Sequence, residues 1–282
     1  MRAIRYRPSG SRASRRSIFR HAAQMTTTAT SRVETKVASS IAHIKLINPP
    51  LNVIDLRMAR ELHEVLAQIE ARGDVSVILF EGDPRFFSAG VDIKAHLPEQ
   101  IHEMLTSIHA VIRAIVASRK VTIAAVRGTC LGGGAELAVV CDMVYTARDA
   151  TWGFPEIKLA CYPPVAAVAL PALVGQKRAA ELILTGRKIS GDEAVALGLA
   201  NRSVRAEELE TLVQQTLDEL RTLSPSALAH AKKAMYAWDA IHFDKGLARA
   251  EKIYLEELVS TPDAREGIIA FLDKRQPKWT GK

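Results

Sequence analysis

The order of its apolar segments places this chain in the α/β class. Two continuous runs rich in β-branched residues, VSVILF at 75–80 and VTIAAV at 121–126, read as strands covered on both faces. Each follows a stretch whose apolar residues recur at helical spacing. Strands alternating with helices argue against an all-α or an all-β arrangement. At 282 residues, 48% hydrophobic and 24% charged, the chain can bury a sizeable core.

Taken in order, VETKV and IAHIKL between Val33 and Ile47 flank ASS and predict a hairpin. After NPPLN, the spacing of Leu62, Val65, Leu66 and Ile69 predicts a helix from about Leu56 to Arg72. The strand at 75–80 comes next. Ile101, Leu105, Ile108, Val111, Ile112 and Ile115 then mark a helix ahead of the strand at 121–126. Past three glycines, 132–134, an apolar helix leads to strand-like MVYTA. From about Glu207 only helical patterns follow, broken at SPS and TPD, which suits a helical cap or an oligomerisation element. The expected organisation is a disordered basic extension over 1–24, a core over 25–205 and a helical region over 206–282.

The formal charge of +7 is misleading about partners. Residues 1–24 hold seven arginines and no acid, and removing them from the 38 basic residues leaves 31 against 31 acidic ones. The body is neutral, so the charge does not mark a nucleic-acid partner for it. An RNA-binding role resting on the tail would weaken steeply with salt and vanish with the tail. The arginine- and serine-rich tail fits a mitochondrial presequence, and a non-native extension ahead of Met25 gives the same composition. A cytoplasmic location is expected, or the mitochondrial matrix if the presequence is genuine. No apolar run approaches the ~20 residues of a membrane span, so no membrane partner is expected. Cys130, Cys141 and Cys161 are odd in number and lack the spacing of a zinc site or a disulfide framework, which points to a reducing compartment and no metal.

Two loops follow the buried strands: EGDPRFFSAGVDIK, containing Gly90, and RGTCLGGG. In α/β architectures ligands sit beyond the carboxyl ends of strands. Glycines there let backbone N–H groups approach a ligand directly. A carbonyl oxygen against the Gly133 N–H, at the start of a helix, would be polarised toward an oxyanion, with a second donor from the Gly90–Val91 loop. Glu136 lies three residues on, on the same helix face, and Glu156 follows a proline twenty residues later. Two carboxylates beside an activated carbonyl make a general acid/base pair. Taken singly, the glycines also suit a tight turn, Glu136 a first-turn acid and Glu156 a solvated loop. Neither a P-loop ending nor G-x-G-x-x-G is present, the eight histidines lack ligand spacing, and Cys161 has no evident partner base.

Together the segments FFSAGVDIK, VTIAAVRGTCLGGGAELAVVCD, FPEIKLA, LTGRKISGDEAVALGLANRSV and EGIIAFLDKRQPKW, in this order and spacing, resemble the crotonase (enoyl-CoA hydratase/isomerase) family from about Val33 to Trp279. The resemblance implies a spiral of ββα units with C-terminal helices that build a trimer or a dimer of trimers. It implies an acyl-CoA substrate, with coenzyme A as part of that substrate and no separate cofactor. Position by position it puts the oxyanion hole on the backbone N–H of Val91 and Gly133 and the catalytic pair on Glu136 and Glu156, without dividing acid from base between them. It puts CoA and substrate contacts on Ala89, Val91, Asp92, Ile93, Lys94 and Gly132, with Phe271 and Lys274 from the terminal motif, acting in their own or a neighbouring subunit. Relatives that isomerise, decarboxylate or hydrolyse often lack one glutamate, so the pair implies hydration or its reverse.

The segment LACYPPVAAVALP departs from the family's usual Pro-Gly-x-Gly-Gly-like text. It places Tyr162, Pro163, Pro164 and Val165 on the acyl-pocket wall. A PPVAA-like segment resembles the subgroup of cyclohexa-1,5-diene-1-carbonyl-CoA hydratases and of dehydratases that convert 3-hydroxy-3-methylglutaryl-CoA to 3-methylglutaconyl-CoA. The latter, a branched dicarboxyl acyl group of leucine and isovalerate metabolism, is the expected substrate. Lys94, Arg127 and His96 are the candidates to meet its free carboxylate.

Overall fold

The computed structural model describes residues 31–236 and 239–281, so the expected extension over 1–24 lies outside the described residues. Strands β1 (Val33–Ala38) and β2 (Ile41–Leu46) form the expected hairpin, turned through Ser39 and Ser40 at positive φ. Helix α1 (Leu56–Ala71) then leads to β3 (Val77–Glu81), and Asp55 caps the helix by accepting the Met58 N–H at 2.8 Å.

From β3 onward the chain repeats one path. A strand of a large sheet is followed by a short strand of a second sheet and then by a helix. β3 gives way to β4 (Phe86–Ser88) and α2 (Ile101–Ala117). β5 (Val121–Val126) gives way to β6 (Thr129–Leu131) and α3 (Gly133–Val139). β7 (Met143–Ala147) gives way to β8 (Thr151–Gly153) and α4 (Pro164–Val174). This is the expected α/β spiral of ββα units. After α5 (Gln176–Thr185), β9 (Lys188–Ser190), α6 (Gly191–Leu197) and β10 (Arg202–Val204) complete the sheets.

The large sheet runs β1-β2-β3-β5-β7-β10 and the small one β4-β6-β8-β9, parallel except at the β1–β2 and β8–β9 pairs. Both faces of the large sheet are covered, as the apolar runs predict. Ile78, Phe80, Ala124 and Val126 pack into the main core with α1 and α2. Val77, Leu79, Ile123 and Ala125 pack under α7 (Leu209–Arg221) through Leu212, Val213 and Leu217.

Helices close the chain. Pro225 and Pro262, which break the helical pattern in the sequence, stand as first residues of α8 (Pro225–Tyr236) and α10 (Pro262–Leu272). A proline is tolerated there because the N–H it lacks has no partner inside the helix. Between them α9 (Asp239–Lys252) runs on into a π-helical turn over Ile253–Leu258. Among the described residues no helix is long and apolar enough to cross a membrane, and no cluster of three or more His, Cys, Asp or Glu is placed to hold a metal ion.

One buried ion pair ties the C-terminal helices to the sheet. Lys232, on α8, is 7% exposed; its Nζ lies 2.8 Å from Asp142 Oδ2 and donates to the Lys120 carbonyl at 2.8 Å. The same Asp142 oxygen accepts the Thr122 N–H at 2.7 Å. Removing one partner of such a pair strands the other charge out of water. Lys232→Met is therefore expected to lower the unfolding free energy by about 3–5 kcal/mol. A thermal or urea melt reads this, and a loss under about 1 kcal/mol would mean that water already reaches Asp142.

Candidate active site

Strand β6 carries the chain into Gly132, whose N–H donates to the Gly153 carbonyl at 2.9 Å and whose φ is +51°. A Cβ added here would stand 2.5 Å from Glu156 Oε1, so the missing side chain is the room the carboxyl occupies. Gly133 opens α3, and its N–H is among those left without an intrahelical partner. A Cβ on Gly133 would meet Val91 Cγ2 at 2.5 Å and stand 3.7 Å from the Val91 nitrogen. Val91 is pinned from both sides: the Gly90 carbonyl accepts from Ile54 N–H at 2.9 Å, and Asp92 N–H donates to the Ile54 carbonyl at 3.2 Å. Among the described residues the Val91 N–H has no acceptor. Two unpaired amides from different segments thus line one cavity of about 80 Å³.

Glu136 and Glu156 line the same cavity, in unlike surroundings. Glu136 is 4% exposed, and its Oε1 accepts the Ala166 N–H at 2.9 Å. This follows from the departing segment YPPVAA. Pro163 precedes α4 and Pro164 is its first residue; neither has an N–H, so the first free donors of the helix are those of Val165 and Ala166, and the Ala166 N–H bonds Glu136. Burial pushes the Glu136 carboxyl up, while these amides and the charge of His109 oppose the shift. Glu156 sits just after Pro155 in a 3-10 turn, Pro155–Leu159. Its Oε2 is sealed from solvent without a hydrogen-bond partner. Burial, with the charge of Glu136 adding to it, pushes Glu156 up to about 8. The amides of α4 thus favour the ionised form of Glu136, whereas burial and the neighbouring charge favour the protonated form of Glu156.

Of the other residues singled out by the sequence, Ala89, Ile93, Tyr162, Pro163 and Pro164 line the cavity. Asp92 and Lys94 do not. Asp92 Oδ1 caps the turn over Ile93–His96 by accepting the Lys94 N–H at 3.0 Å, and the Lys94 side chain is exposed. Val165 is corrected: its side chain is fully buried in the core because helical geometry turns it away from the cavity, leaving only its amide for Glu136. Phe271 and Lys274 lie at the end of α10, clear of the cavity, with Phe271 52% exposed. α10 packs on the turns Ile93–His96 and Pro155–Leu159 of its own chain, close enough that a Cβ on Gly267 would stand 2.2 Å from the Leu159 carbonyl oxygen.

Of the three candidates for an acyl carboxylate, Arg127 lines a different cavity with Asp83 and Glu210, and Lys94 stays outside. His96 is in place, yet burial lowers its pKa and its Nδ1 already bonds the Asp92 carbonyl at 3.1 Å. Cys161 is no nucleophile, since burial pushes its thiol up to about 12. The sequence missed His109 and Tyr254, which also line the cavity. His109 is one polar residue on the apolar face of α2, and Tyr254 comes from the π-helical turn to meet Tyr162 in a tilted ring contact with centroids 5.2 Å apart. No local pattern in the sequence sets either apart.

Comparison with known proteins identifies the family. A family model described as Enoyl-CoA hydratase/isomerase matches residues 36–282. The chain is 34% identical over 244 residues to a cyclohexa-1,5-dienecarbonyl-CoA hydratase of Thauera aromatica, covering 86% of this chain and 94% of that one. It is 35% identical over 248 residues to a probable enoyl-CoA hydratase of Bacillus subtilis (strain 168), covering 86% and 96%. The crystal structure of an enoyl-CoA hydratase from Mycobacterium avium subsp. paratuberculosis K-10 superposes with a TM-score of 0.81 at 25% identity, over 89% of this chain and all of that one.

Proposed function

The chain belongs to the enoyl-CoA hydratase/isomerase family, and on that premise we propose that it is a hydro-lyase of the enoyl-CoA hydratase type, adding or removing water across the α,β double bond of an acyl-CoA thioester. The observation that carries the reading is the pair of unlike carboxyls, Glu136 and Glu156, facing the same cavity as two unpaired amides.

The thioester oxygen accepts from the Val91 and Gly133 N–H groups, which stabilise the charge that gathers on it as an enolate forms. Glu136, the anion of the pair, takes a proton from water as the oxygen adds at the β-carbon. Glu156 delivers its proton to the α-carbon. Dehydration runs the same transfers backwards. Coenzyme A enters as part of the substrate, with Ala89, Asp92 to Lys94, Phe271 and Lys274 as its contacts, and no further cofactor takes part. The working assembly is a homotrimer or a dimer of trimers.

For the acyl group, the interconversion of 3-hydroxy-3-methylglutaryl-CoA and 3-methylglutaconyl-CoA is the preferred reading. It is supported by the YPPVAA wall, which departs from the family's usual text. The Thauera aromatica relative favours a second reading, hydration of a cyclic dienoyl-CoA. Water addition to 3-methylglutaconyl-CoA, crotonyl-CoA and the cyclic diene, followed by thioester absorbance, separates them. The branched substrate is expected to exceed crotonyl-CoA in kcat/KM by about tenfold or more, the worth of one or two well-placed contacts. Comparable rates on all three would remove the specialised pocket, and a preference for the diene would install the second reading.

A further inference from the structure

α2 delivers His109 to the cavity floor beside Leu105 and Ile108, with the residue 1% exposed. The ring is held from behind. Its Nδ1 lies 2.6 Å from Glu251 Oε1, and the same oxygen receives Arg113 Nη2 at 2.9 Å, while Arg113 Nε reaches Asp244 at 3.0 Å. An ionised carboxylate only accepts, so Nδ1 donates to it. The hydrogen bonds from His109 and Arg113 outweigh partial burial and hold Glu251 below the usual range. The other ring nitrogen, Nε2, has no partner among the described residues.

The neighbours leave this nitrogen a specific task. Met104, Leu105 and Ile108 offer the cavity only carbon or sulfur. Tyr162 lines it, yet spends its hydroxyl proton on the Ala250 carbonyl at 2.6 Å. His96 is engaged by the Asp92 carbonyl, and Lys94 stands outside. Among the described residues lining the cavity, His109 therefore offers a ring nitrogen without a hydrogen-bond partner. An unsubstituted acyl chain that displaced water from the cavity would leave that nitrogen without a partner, at a cost in binding.

We infer that His109, braced by Glu251 and Arg113, is the residue that recognises the acyl end of the substrate, donating from Nε2 to a carboxylate oxygen carried by the acyl group. The inference rests on the hydratase reading for its place in a reaction, though its test does not depend on turnover.

Two saturated thioesters of equal chain length, glutaryl-CoA and pentanoyl-CoA, differ in a terminal carboxylate against a methyl and cannot be hydrated. Calorimetric titration of the full chain is expected to give a dissociation constant for glutaryl-CoA about tenfold or more below that for pentanoyl-CoA, the range of one hydrogen bond to a charged group. His109→Phe, which keeps a ring and loses the donor, brings the two constants to within about threefold. Glu251→Gln keeps an acceptor for Nδ1 but withdraws the charge behind it, and is expected to shrink the preference as well. This second variant decides the matter if the first does not fold. Equal binding of both thioesters by the wild type, or an undiminished preference in the variant that folds, overturns the assignment. Hydration of crotonyl-CoA by the wild type, measured alongside, tests the hydratase reading separately.

Discussion

Glutamine at Glu136 or at Glu156 lowers kcat for water addition by a factor of about a hundred to ten thousand, the usual worth of a positioned acid or base, with KM little changed. The thioester is held by amides that neither substitution touches, so binding and chemistry separate. Either variant retaining near-wild-type turnover would end the two-carboxyl mechanism. The pH profile carries the same assignment with a definite sign. A carboxyl raised to about 8 keeps its proton below that pH and loses it above, so hydration falls on the alkaline side as Glu156 ionises. On the acid side the rate falls as Glu136 becomes protonated, at a pH above the ordinary carboxylate value because burial raises that group too. Both limbs belong to the interacting pair. In Glu156→Gln the residual rate no longer falls near pH 8; a falling limb that persists unchanged there would assign it to another group.

Gly133→Ala costs about a hundred- to a thousandfold in kcat, the loss measured when one oxyanion donor is removed. The added methyl would stand 2.5 Å from Val91 Cγ2, a contact relieved only by moving the Gly133 and Val91 amides apart. Val91→Ala removes the opposing methyl. The double variant Val91→Ala/Gly133→Ala is therefore expected to recover at least about tenfold of the loss, a coupling of roughly 1.4 kcal/mol between residues in contact. Strictly additive effects would show that the glycine serves α3 itself and not the spacing of the donors.

Long periodic segments were legible from the sequence alone. β2, β3, β5 and the helices α1 and α2 stand where alternation or helical spacing predicts them, because each has five or more residues over which a period can declare itself. The small sheet was not legible. Its strands, such as Thr129–Leu131 and Thr151–Gly153, have three residues each and are held by the backbone ladder, so side-chain pattern says little about them. The glutamates and glycines of the cavity could be read because their spacing is local and they recur in a known order. His109 could not. Its partner Glu251 is 142 residues away on another helix, and only the packing of α2 against α9 brings them together.

The segment from Tyr162 to Ala166 has a consequence for how this enzyme can diverge. Its first three residues line the cavity, and its last holds the Glu136 carboxylate by its amide. Selectivity and acidity are thus inherited together. A lineage that reshapes the wall to admit a bulkier substrate shifts the start of α4, and with it the proton balance between the two acids. New substrates are reached more safely from the α2 side, where side chains can be exchanged without moving a backbone that the chemistry leans on.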